Sequence, residues 1–126
     1  MVGPALDEAP ARALRAAGGL SAIVGSMIRH VVMFQLTAAA DSERAADISQ
    51  MQERLGALVG VIPGLLSMSL KPDLGLVEGH WDVVLVSEHD DNAALEGYQA
   101  HPAHVEVSNF IKSVTSSERV AVDYEL

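Results

Sequence analysis

Apolar and polar residues alternate along "MIRHVVMFQL". Ile28, Val32, Phe34 and Leu36 fall on one face with His30, while Val31 and Met33 fall on the other. A period of two predicts a β-strand, because successive side chains of an extended backbone point to opposite sides. The period then changes. After Asp41 or Ser42, either of which is a suitable helix cap, Ile48, Met51, Leu55, Leu58, Val59 and Ile62 recur at helical spacing. "IPGLL" stops that helix, since Pro63 lacks an N–H and Gly64 frees the backbone to turn. "LLSMSLK" alternates again, with Leu66, Met68 and Leu70 on one side, and a turn-rich "PDLGLVEG" leads to a third strand in "HWDVVLVSEH". A short helix over 91–99, a second from Pro102 to about Val114, and a fourth strand in "ERVAVDYEL" complete the pattern.

The predicted order is βαββαβ, an α+β fold of the ferredoxin-like type: a four-stranded antiparallel sheet with helices on one face. In that topology the first and third strands are central. Their segments "HVVMF" and "DVVLV" are apolar on both faces, as central strands require. Helices cover one face only. The other, carrying Val31, Met33 and alternate residues of the third strand, has no cover within the chain. The expectation is a homodimer in which two such sheets pack together and close into a dimeric α/β barrel.

Composition sharpens this picture at a few points. The chain has 126 residues, of which 49% are hydrophobic, enough for one domain with a packed core. Formal charge is −9. Asp7 and Glu8 balance Arg12 and Arg15, so the excess lies in 27–126. Such a surface repels phosphate backbones and anionic lipid, which argues against nucleic acid and membrane as partners. There is no cysteine, which removes disulfides and thiolate chemistry. "GGLSAIVGSMI" is too short to span a bilayer, and the acidic residues before it fit a signal peptide poorly. A cytoplasmic protein is expected. Residues 1–26 read as an N-terminal extension to a 27–126 domain. Either Met27 is the natural start, or "ALDEAPARALRAAGG" is a short, loosely attached helix.

Candidate chemistry concentrates in "GYQAHPAHVEV". Pro102 suits the first helical position, which places His101 at the N-cap and His104 at the third helical residue. The positive end of the helix dipole disfavours protonation there, and a neutral His104 is competent as a general base. The plainer reading has His101 capping the helix and His104 filling a polar gap. The spacings of strong zinc sites are absent, and no nucleophile elbow or phosphate-cradling glycine motif occurs. No metal and no organic cofactor are expected. The acidic "SEHDDN" is expected to cap the following helix and stay solvated.

Taken in order, "HVVMFQL", "IPGLLSMSL", "WDVVLVSEHDDNAALEGYQAHPAHVEV" and "VAVDYEL" resemble the stress-responsive A/B barrel (Dabb) family over about residues 27–126. The resemblance implies a dimeric α+β barrel. It also implies a family of small stress-linked proteins in which one plant branch cyclises linear polyketides, with oxygenases among related barrels. On that pattern His104 matches the cyclases' catalytic histidine, and Tyr98 the tyrosine that holds or polarises the substrate. His30 points into the cavity between sheet and helices, with Val32 and Phe34 on its face and His101 at the helix start. With Asp82, Val84 and Val86 on the cavity face of the third strand, Asp82 is expected to accept a hydrogen bond from His30. The cyclase-like branch has histidine at the Asp82 position, so this chain departs from it there. The expectation is therefore a Dabb protein with a pocket for a small apolar or aromatic ligand, and the alternative a cyclase or lyase. An open apolar pocket of about 300 Å³ or more ending at His104 favours the enzyme.

Overall fold

The computed structural model describes residues 25–126. The expected extension over 1–26 lies outside the described residues except for its last two positions. Strand β1 (Ile28–Leu36) is followed by helix α1 (Asp41–Gly56), strands β2 (Leu65–Pro72) and β3 (Val83–His89), helices α2 (Asn92–Ala100) and α3 (Pro102–Val114), and strand β4 (Thr115–Glu125). The strands pair antiparallel in the order β2-β3-β1-β4, so the two strands apolar on both faces are central.

Burial alternates without interruption along β1 and along β3. Ile28, Val32, Phe34 and Leu36 join Val83 and Leu85, and the helices lay Met51, Leu55, Leu95, Tyr98 and Ile111 over them. On the opposite face, Val31 lies between Val86 and Val122, and Met33 between Val84 and Val120. These six form a contiguous apolar patch, with Val122 57% exposed. No described helix covers it, and no helix among the described residues is long and apolar enough to cross a membrane.

Three local expectations need correction. The N-cap of α1 is Ala40, with no side-chain cap; Asp41 and Glu43 lie within the first turn instead, where they complement the helix dipole. The helix ends at Gly56 rather than at Pro63. Turns then carry Leu58 and Ile62 into the core and leave Val59 exposed. In β2 the pairing slips between Leu65 and Ser67, so Leu65 rather than Leu66 joins the core.

Gly64 closes the turn before β2 at φ +81, and its carbonyl accepts the N–H of Asp90. A Cβ at Gly64 would lie 2.6 Å from the Cβ of Ala94 on α2. Gly64→Ala is therefore expected to combine left-handed strain with a clash against the Ala94 methyl, at about 2 kcal/mol. A lowered urea midpoint at unchanged m-value is the check.

Candidate functional site

One residue makes the corner on which the site is built. His101 ends α2, its N–H reaching the Tyr98 carbonyl at 3.2 Å, and also begins α3. Its Nδ1 accepts the N–H of Ala103 at 3.0 Å, and Pro102 takes the first helical position, as the sequence predicts. The corner folds the last turn of α2 against the first turn of α3. Tyr98 and His104 consequently meet, ring centroids 4.2 Å apart.

His104 Nδ1 donates to the Gln99 carbonyl at 3.2 Å. That bond puts the proton on Nδ1 and leaves the lone pair on Nε2. The imidazole pKa is lowered from its ordinary value, chiefly by burial. His30, Arg119 and His101 lower it further, and the Gln99 bond opposes them. Desolvation thus favours the neutral ring. Tyr98 is 1% exposed, and burial pushes its phenol well above a tyrosine's usual value, so it remains a proton-bearing donor.

Behind them lies a buried histidine that sequence reasoning passed over. His89, at the end of β3, is fully buried with its ring 4.8 Å from Tyr98 and 6.2 Å from His30. Its Nε2 is 2.9 Å from the Ser87 hydroxyl, and its Nδ1 has no partner among the described residues. Removal from water lowers its pKa to about 4, with His30 adding to the shift, Asp123 opposing it and His104 adding a smaller part. The "SEHDDN" run therefore does two jobs. Asp91 caps α2 by accepting the Ala94 N–H at 2.8 Å, while Ser87 and His89 go inside instead of staying solvated.

His30 faces the interior as expected, with Val32 and Phe34 beside it. Its carboxylate partner is not Asp82. His30 sits opposite Ser87 on β3 and Asp123 on β4, and its Nδ1 donates to Asp123 Oδ1 at 2.5 Å. Asp82 lies beyond the far end of β3, where it accepts the Leu36 N–H at 2.7 Å and pairs with Arg44 at 2.9 Å. Val84 and Val86 do not line the helix-side cavity either. Val83 and Leu85 take that face, which turns Val84 and Val86 onto the uncovered patch.

The cavity of about 410 Å³ opens at the other end of α3, lined by Phe34, Lys112, Thr115, Ser116, Ser117 and Arg119. It is larger than the size expected of an enzyme pocket, yet its rim is polar and basic, and His104 is not in its wall. Among the described residues no three His, Asp or Glu side chains converge on a point that could hold a metal.

The sheet order and single helical layer define a ferredoxin-like α+β protein. The family profile of the stress responsive A/B barrel domain matches residues 28–126, and the chain belongs to that family. A dimeric ferredoxin-like protein of unknown function from Thermobifida fusca is similar at 29% identity, with 81% of this chain and 92% of that one covered and a TM-score of 0.68. A dimeric protein of unknown function and ferredoxin-like fold from Bacteroides fragilis is similar at 25% identity, covering 79% and 96%, also with a TM-score of 0.68. Hydroxynitrile lyase from Passiflora edulis shares the fold at 16% identity, covering 80% and 94%, with a TM-score of 0.66. No curated protein sequence matches the chain.

Proposed function

We propose that this Dabb protein works as a homodimer and binds a small organic ligand between sheet and helices, at the edge formed by Tyr98 and His104. The dimer reading is supported by the uncovered patch of Val31, Met33, Val84, Val86, Val120 and Val122, and by two similar proteins described as dimeric. Val122→Glu places an unpaired charge in that patch and is expected to weaken dimerisation at least about 100-fold. Sedimentation at micromolar concentration checks this. A folded wild-type monomer there removes the dimer from the proposal.

One observation favours chemistry at the site as well as binding. The Gln99 carbonyl fixes the His104 proton on Nδ1, so Nε2 offers a lone pair beside the Tyr98 ring. In this reading Nε2 takes a proton from a carbon next to a ligand carbonyl. The C–H electron pair moves into the carbonyl, and the resulting enolate oxygen accepts a hydrogen bond from the Tyr98 hydroxyl. Aldol-type cyclisation and β-elimination both begin with that step.

The test is deuterium incorporation into phenylacetone, followed by NMR. Wild type is expected to accelerate exchange with an inflection below pH 6.5, since His104 titrates below its ordinary value. His104→Ala is expected to fold and dimerise normally and to lose about 100-fold in exchange rate, the low end for a positioned base. No acceleration by wild type would leave binding alone.

A further inference from the structure

Strand β4 has an unusual helix-side face. Arg119 lies opposite Phe34, Ala121 opposite Val32 and Asp123 opposite His30. Phe34, Val32 and His30 all face the core, so Arg119, Ala121 and Asp123 share that side. Yet along β4 only Thr115 is buried. The edge strand thus runs beyond the cover of α3 and is exposed over most of its length. At one end stand Asp123, His30 and His104; at the other is the cavity of about 410 Å³ between Phe34, Lys112 and Arg119. Ala121, with only a methyl group, lies between Arg119 and Asp123 on this face.

The charge in that cavity runs against the rest of the molecule. The chain carries −9, but Lys112 and Arg119 line the opening and no carboxylate does. Arg29 and Arg44 are paired with Glu88 and Asp82, and Arg54 stacks on Phe110. Neither Lys112 nor Arg119 forms a salt bridge among the described residues. Three hydroxyls, of Thr115, Ser116 and Ser117, complete the lining. That of Thr115 spends its proton on the Ile111 carbonyl at 2.8 Å, so it offers an anion no donor, and the donors at the opening are the Lys112 and Arg119 cations with the Ser117 hydroxyl. Two cations without a salt-bridge partner among the described residues, converging on one opening of an acidic molecule, suit an anionic group.

We infer that the exposed helix-side face of β4 beside α3 takes an elongated organic acid, its carboxylate held between Lys112 and Arg119 and its other end at His104, which backs onto Tyr98. This rests on the reading of Tyr98 and His104 as a ligand site. The geometry sets the length. From His104 to Lys112 is two helical turns, about 12 Å of rise, and Arg119 to Asp123 spans about 13 Å of strand. Apolar contact with Phe34 and Ala121 suits a hydrocarbon body between the polar ends. Arg119 is also near enough to lower the pKa of His104, so the two ends already sense each other's charge.

The probe is 6-phenylhexanoate, set against its neutral amide by calorimetric titration into the full chain. The acid is expected to bind about tenfold tighter than the amide, with the preference shrinking as salt rises. Arg119→Gln and Lys112→Gln, both at exposed positions, are expected to remove most of that preference without weakening the amide. An amide that binds as well as the acid, a preference that survives both substitutions, or no binding of either compound at millimolar concentration would each overturn the inference. His104→Ala separates the two ideas. Acid preference retained without phenylacetone exchange keeps the anion subsite and discards the base. Exchange without acid preference does the reverse.

Discussion

Tyr98→Ala is expected to lower unfolding stability by about 3–5 kcal/mol, the range for emptying a buried aromatic site. The ring is 1% exposed and touches structure from three directions: His104 on α3, His89 on β3 and His30 on β1. Its removal leaves a cavity that α2 and α3 cannot both close, because the His101 corner fixes their relative position. Tyr98→Phe isolates the hydroxyl. No described residue hydrogen-bonds it, so the phenylalanine variant is expected to stay within about 1 kcal/mol of wild type. It should still lose ligand-dependent effects that need the donor. Urea unfolding of both variants decides the matter. A loss in Tyr98→Phe approaching that of Tyr98→Ala would mean that the hydroxyl is a structural group.

Much of the site was legible because local rules act within a few residues. His101 as cap, Pro102 at the first helical position and His104 as the third helical residue all follow from the spacing in "GYQAHPAH". The single helical layer followed from the βαββαβ order, whose helices cover one face of a four-stranded sheet. What failed was the phase of β3. "VVLV" is apolar at every position, so alternation cannot say which half faces the helices; the uncovered patch makes both halves greasy. Had Ser87 and His89 been taken as the inward set, Val83 and Leu85 would have followed, and Val84 and Val86 would have gone to the patch. The acidic neighbours Glu88, Asp90 and Asp91 concealed that signal by making the whole run look solvated.

The partner of His30 was hidden for a different reason. A central strand has two neighbours, and only Asp82 on β3 was considered. The register of β4 against β1 places Asp123 opposite His30, and register depends on where the chain leaves α3, at Thr115, and on the shift between Phe34 and Leu36. Composition carries neither. The same pairing brings Arg119 beside Phe34, so the basic opening was equally out of reach. Arg119, Asp123 and Glu125 at alternate positions of β4, with only Ala121 between the first two, were the one available sign that its helix-side face is not core.

Acidification supplies the second large effect. An unfolded histidine titrates near 6.5, whereas His89 in the folded chain does so at about 4. Above pH 6.5 both states are neutral at this residue and stability is unaffected. Between 6.5 and 4 the unfolded chain takes up the proton and the folded chain does not, so stability falls with pH, by on the order of 3 kcal/mol at the lower limit. His30 on β1 and His104 on α3 strengthen the shift, Asp123 on β4 weakens it, and Tyr98 on α2 contributes no charge. The lowered pKa of His104 acts in the same direction, so His104→Ala is the control for its share. Replacing the buried pair together, as Ser87→Ala with His89→Leu, removes the titrating ring without stranding the hydroxyl. Urea melts at pH 7, 5.5 and 4 are expected to show a flatter stability profile for the double variant, with near-equal stability at pH 7. A variant that loses stability with acid as steeply as wild type would show that the pH dependence arises elsewhere.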